Sequence, residues 1–288
     1  MHPIIHPPQP WALCIRRRDL LGALAVGLPL AGCASRAGGA PSAAARSELS
    51  TEGRLRVAIN LGNPILASRG HHAGQPQGVS VDLAREAARR LGLPVEWVEL
   101  PAAGQAVEAV RAGQVNLAFV AIDPVRGADL DYTAPYVIIE GAYLVRADSP
   151  LTRTDEVDRP GTRVVVGRGS AYDLYLTRAL QQAQLVRAPT SPAVVDQFMA
   201  EGQEVAAGVR QQLQADMERL AATGAPALRL LPGRFVVIEQ AMALPKGRPA
   251  AQAWLKAFIE EMKASGFVAD SLRRHGIEGA AVAPPTSA

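Results

Sequence analysis

The chain has 288 residues, 48% of them hydrophobic and 20% charged, an ordinary globular composition with room for one large or two medium domains. The formal charge is +3, of which Arg16, Arg17 and Arg18 against Asp19 supply two, and no later segment carries a basic patch interleaved with aromatics, which argues against a nucleic-acid partner. Both cysteines, Cys14 and Cys33, precede the expected fold, so a disulfide framework or a cysteine metal site is excluded from the core.

Residues 1–33 read as a signal peptide. Arg16, Arg17 and Arg18 precede an apolar run from Leu20 to Leu30, too short to span a bilayer core of about 30 Å but suited to the central region of an export signal. Arg17-Arg18-Asp19-Leu20-Leu21 resembles a twin-arginine signal, with leucine for the usual phenylalanine and no following lysine. Leu30-Ala31-Gly32-Cys33 resembles the lipobox of bacterial lipoproteins, which implies lipidation at Cys33. The alternative is a chance cysteine beside a conventional cleavage site. Residues 34–53, rich in Ala, Ser and Gly, read as a flexible tether.

From Arg54 onward strand and helix patterns alternate, the mark of an α/β fold with largely parallel sheets and ligands at strand ends. Leu55, Val57 and Ile59 alternate as a strand does. Ser80 is placed to cap a helix with Ala84, Ala87, Ala88 and Leu91 inward, ended by Gly92 and Pro94. A strand over 95–99, a helix over 103–112 and a strand over 116–122 repeat the unit, followed by a turn over 131–136 and a strand over 137–146. Asp148-Ser149-Pro150 interrupts the pattern as a crossing between lobes would. A second set follows: a strand over 164–166, helices over 170–180 and 191–199, a strand over 235–244, and a helix opened by Pro249 whose stripe includes Trp254, Leu255, Phe258, Ile259 and Met262.

The order of elements and several motifs resemble the family 3 extracellular solute-binding proteins, the amino-acid-type receptors of ABC importers. Gly78-Val79-Ser80-Val81-Asp82-Leu83 resembles the family's approach to its first helix. Arg126 followed by Leu130-Asp131-Tyr132-Thr133-Ala134-Pro135-Tyr136 resembles its most specific signature. Gly167-Arg168-Gly169-Ser170 and Pro245-Lys246-Gly247 resemble further loops of the family. The resemblance implies a two-lobe periplasmic-binding-protein fold of type II, each lobe a mostly parallel sheet flanked by helices. Lobe 1 would be 54–146 plus 235–278, lobe 2 147–234, and 279–288 a disordered tail.

A carboxylate taken from water needs its charge matched, and a planar guanidinium does this with two parallel hydrogen bonds. Arg126, just after a strand end, is the natural anchor, with a surface ion pair to Asp123, Asp129 or Asp131 as the alternative. The amides at Ser170 and Ala171 and the Ser170 hydroxyl could hold the same carboxylate from a helix N-terminus, although Ser170 serves equally as a plain cap. Relative to the family, Ala121 and Asp123 replace two ligand-facing threonines, and Arg210 stands where an aspartate would receive the ligand's ammonium. With Arg210 in the cleft a doubly anionic ligand would fit; a solvent-facing Arg210 is as good a reading. Asn60 and Asn63 offer polar contacts in a loop whose default role is a turn. The adjacent His71 and His72 are assigned no metal, and no cofactor is expected.

The resulting expectation is a periplasmic, lipid-anchored, monomeric receptor that has no catalytic step, captures a small anionic or zwitterionic carboxylate, an amino acid or a dicarboxylate-like metabolite, between its lobes, and serves an ABC permease of the inner membrane. The alternative is a periplasmic enzyme on the same fold, a dehydratase acting on prephenate- or arogenate-like acids, with Glu140 or Glu239 as acid. A sensory subunit is a third reading, which the lack of a transmembrane helix after Gly279 disfavours.

Overall fold

The structure, a computed structural model, describes residues 39–70 and 75–286. The expected signal peptide, Cys33 and the His71-His72 pair lie outside these residues. The first element, α1 (Ala43–Glu48), is capped by the Ser42 hydroxyl, which accepts from the Ala45 amide. Ala45 and Leu49 are fully buried, and the Glu48 carboxylate accepts from the Ala251 amide at 2.7 Å. This corrects the expectation of a tether through residue 53: an alanine-rich turn ending in Leu49 has an apolar face to bury, and the fold takes it up.

Strand β1 (Leu55–Asn60) forms where expected but does not alternate in burial: all its residues except Arg56 are buried, because it lies inside the sheet between β4 and β5. A small hairpin of β2 (Ser68–Arg69) and β3 (Pro76–Gln77) leads into α2 (Val79–Leu91). Gly92 ends α2 in the left-handed conformation, but Gly78 and not Ser80 holds the N-cap position. Ser80 sits inside the helix because its hydroxyl is 2.9 Å from that of buried Tyr136. The unit repeats as β4 (Val95–Leu100), α3 (Ala103–Arg111) and β5 (Leu117–Ala121). Then β6 runs unbroken from Leu130 to Arg146, so the turn expected over 131–136 is strand. The second set is β7 (Arg163–Gly167), α4 (Ala171–Ala179), β8 (Gln184–Ala188), α5 (Val194–Glu201), β9 (Val205–Val209), α6 (Arg210–Ala221) and β10 (Leu228–Leu230). The chain returns through β11 (Val236–Pro245) and ends with α7 (Pro249–Ala264), α8 (Phe267–Arg274) and β12 (Ala281–Val282). Because β12 pairs with Val137 and Ile138 of β6 and Ala283 is buried, residues 281–283 belong to the fold and not to a disordered tail.

The sheet order β4-β1-β5-β11-β6-β9-β7-β8 explains the two lobes. Strands β4, β1 and β5 are mutually parallel, as are β8, β7 and β9. Between these halves β11 and β6 run antiparallel to each other and to their outer neighbours. Each half wraps its own helices: α3 packs on β5 and β1, α5 on β7 and β9. Along α7, Leu255, Phe258, Ile259 and Met262 are buried, each worth about 1.5–3 kcal/mol of apolar transfer. Trp254 stacks on Phe258 at 5.4 Å and serves packing.

Candidate ligand-binding site

Where the two halves face each other, the C-terminal ends of β1 and β5 meet the loop after β7, and the space between them is lined by residues of both halves and of the β11 ribbon. Arg126 stands at its centre. After β5 ends at Ala121, Asp123 turns the chain: its carboxylate accepts from the Val125 amide at 2.9 Å and its carbonyl from the Gly127 amide. The single 3-10 turn that follows, Arg126–Ala128, sends the guanidinium back over the strand end. It donates to the Ala121 carbonyl at 3.2 Å and, from the opposite half, to the Gly169 carbonyl at 2.7 Å.

Arg126 is 3% exposed. Among the described residues no carboxylate pairs with it: Asp129 takes Arg111 and Asp123 takes Arg178 at 2.8 Å. Burial therefore pulls its pKa below the usual guanidinium value, against weak opposing help from Tyr132 and Asp123. Two of its five N–H donors are used on backbone carbonyls. A buried cation with donors to spare beside a cavity is an electrostatic demand for an anion.

The facing loop is built to approach closely. Gly167 ends β7 against Ser191, and a Cβ there would lie 2.6 Å from the Ser191 hydroxyl and 2.7 Å from its Cα. Gly169 adopts φ +68, and a Cβ there would lie 3.4 Å from the Gly104 Cα at the start of α3. Ser170 then caps α4, accepting from the Asp173 amide at 3.0 Å while Asp173 accepts from the Gly169 amide at 2.8 Å. Two helices thus begin at the cavity, α3 with Ala103 and α4 with Ala171 and Tyr172. Their first amides have no intrahelical acceptor, and both dipoles present their positive ends.

Of the residues singled out in the sequence, Arg126, Ala121, Ser170, Ala171 and Asn60 line this one cavity, with Asn63 beside them. Asn60 accepts from the Gly62 amide at 3.0 Å through its side-chain oxygen. The Asn63 side-chain oxygen is buried with no hydrogen-bond partner. Two residues lie elsewhere. Asp123 is held by Arg178, and Arg210, at the start of α6, donates to Glu140 at 3.0 Å and to the Gly233 carbonyl. Neither is in the lining, and each is held instead by an oppositely charged partner, Arg178 for Asp123 and Glu140 for Arg210. The sequence reading missed Tyr172, Ser191, Val209, Ile238 and Gln240 of the lining. Gln240 had a legible signal, a lone carboxamide in the apolar run from Phe235 to Leu244. Among the described residues no three His, Cys, Asp or Glu gather as a metal site, and no helix is long and apolar enough to cross a membrane.

The chain belongs to the bacterial extracellular solute-binding proteins, family 3, whose model matches residues 55–277. Solved structures share the fold. The solute receptor for L-cysteine of Neisseria gonorrhoeae is 21% identical, with a TM-score of 0.70 over 81% of this chain and 94% of that one. An amino acid ABC transporter substrate-binding protein of Streptococcus pneumoniae, bound to L-arginine, is 18% identical with a TM-score of 0.68, covering 80% and 97%. An ancestral amino acid-binding protein, precursor of a cyclohexadienyl dehydratase, is 19% identical with a TM-score of 0.66, covering 80% and 98%. No curated protein matches the chain.

Proposed function

We propose that this protein is the substrate-binding component of an ABC transporter, closing two lobes over a small carboxylate-bearing metabolite that Arg126 anchors. Lobe 1 comprises 54–146 with 235–278 and lobe 2 comprises 147–234. The observation that carries the reading is the buried, unpaired guanidinium of Arg126, bonded to the backbone of both halves and flanked by two helix starts. The chain is a monomer, held at a membrane facing the periplasm through Cys33 and paired with an inner-membrane permease, as its N-terminal motifs and family support.

The dehydratase alternative needs an acid at the cavity. Glu140 lies under Arg234 and Arg210, which hold its carboxyl below the ordinary range, and Glu239 is exposed. Neither lines the cavity, and among the described residues no Asp or Glu does. Binding without catalysis is the reading this lining favours.

Calorimetric titration of the wild type and Arg126→Met against a panel of small carboxylates tests the proposal. Removing a charge-assisted contact worth about 1.5–3 kcal/mol should weaken binding at least about tenfold while the circular dichroism spectrum is unchanged. Equal affinity in the two proteins would refute the anchor.

A further inference from the structure

We infer that the ligand is an organic acid without an ammonium group, a 2-oxo, 2-hydroxy or unsubstituted carboxylic acid, and not an α-amino acid. The inference rests on the receptor reading above and concerns what that receptor selects. The lining holds one formal charge, the cation of Arg126, and two helix starts of the same sign. Among the described residues, an ammonium brought into this space meets no carboxylate in the lining.

Three acidic side chains on the elements that bound the cavity are each held by an arginine. Asp123 pairs with Arg178 at 2.8 Å, Asp173 with Arg187 at 3.0 Å, and Glu140 with both Arg210 and Arg234. A second, more apolar space adjoins the cavity across Asn63, Tyr172, Ser191 and Val209, and there Asp216 holds Arg219 at 3.1 Å and Gln212 at 2.9 Å. The acceptors left free for a ligand are neutral: the unpartnered Asn63 oxygen and the Gln240 carboxamide, 6% exposed. A neutral oxygen can accept one N–H but cannot balance a desolvated charge. It suits a hydroxyl, whose single proton it satisfies in full, while the Asn60 amide and the Ser191 hydroxyl can donate to an oxo oxygen.

Competition is measured within fixed carbon skeletons, so that shape is constant and only the group on Cα changes: alanine, pyruvate and propionate; valine, 2-oxoisovalerate and isovalerate; phenylalanine, phenylpyruvate and 3-phenylpropionate; glutamate, 2-oxoglutarate and glutarate. In the skeleton that binds best, an acid without the ammonium should bind about tenfold or more tighter than the amino acid. A second variant tests the cause. Gln240→Glu is isosteric and places a carboxylate in the lining, so the ratio should swing toward the amino acid. A wild-type preference for the amino acid, lost in Arg126→Met, would overturn the ligand class and leave the receptor standing. A ratio unmoved by Gln240→Glu would overturn it as well. No Arg126-dependent binding across the set would overturn both.

Discussion

Arg126 combines two properties that pull in opposite directions. A guanidinium at 3% exposure with no anionic partner among the described residues has lost its hydration and received only two carbonyl bonds in return. Burying an uncompensated charge destabilises, and replacing it with an apolar chain of similar length removes that cost. Arg126→Met should therefore unfold at an equal or higher temperature than the ligand-free wild type, a gain of about 1–3 kcal/mol at most, while losing its carboxylate affinity. Differential scanning calorimetry with and without ligand separates the two effects. A Met variant that is markedly less stable would mean the guanidinium is there to hold the fold. Asp123 and Arg210 show why residue type alone misled: both carry the right chemistry for a ligand, but their partners, Arg178 and Glu140, lie 55 and 70 positions away in the chain. Local sequence shows a charge and its spacing, not which distant charge folds against it. Arg126 was legible because its strand-end position and its motif both point the same way.

At the scale of elements, the motif before α2 acquires a physical meaning. Asp82, in the first turn of α2, accepts from the Ser271 hydroxyl at 2.6 Å, from Arg274 at 2.9 Å and pairs with His275 at 3.0 Å, so one carboxylate ties α2 to the end of α8. Burial tends to raise its pKa, but the bonds from Ser271, Arg274 and His275 outweigh that and hold it below 3.8. A depressed folded-state pKa contributes stability that is fully present above the unfolded value and fades as the pH falls through the folded one. Asp82→Asn should cost about 1–3 kcal/mol at pH 7, and the wild-type advantage should shrink progressively below pH 4 in urea titrations. An advantage independent of pH would deny the ionic origin. Gly167→Ala tests the opposite strand end: its methyl would meet Ser191 at 2.6 Å, and overpacking of this kind costs about 1–3 kcal/mol, with ligand affinity falling because Ser191 lines the cavity. Most helices and strands were legible from periodicity and glycine or proline punctuation, α7 above all. The Asp131–Tyr136 stretch was not, since its proline and polar residues read as a turn until β11 supplies the partner strand. Nor was α1, whose burial depends on α7 two hundred residues later.

At the scale of the molecule, two contacts among the described residues join the β5 side to the α4 side without involving any ligand. One is the Arg126 bond to the Gly169 carbonyl, and the other is the Asp123 to Arg178 ion pair. Affinity in a two-lobed receptor is the intrinsic affinity of the closed form multiplied by the fraction of molecules that are closed, so a contact made only on closure strengthens binding without touching the ligand. Arg178 is outside the lining and its side chain is 41% exposed, whereas Asp123 is nearly buried. Solvent screening at the arginine limits the pair to about 0.5–1 kcal/mol, which predicts a two- to fivefold loss of affinity in Arg178→Ala. The loss should appear mainly in the dissociation rate, because without the pair the closed form opens more readily and releases the ligand sooner. Small-angle scattering of the ligand-free variant should show a larger radius of gyration than the wild type, with the two converging once saturated. If Arg178→Ala instead slowed association and left dissociation unchanged, the arginine would be attracting the anion from solution, and the ion pair would have no part in closure.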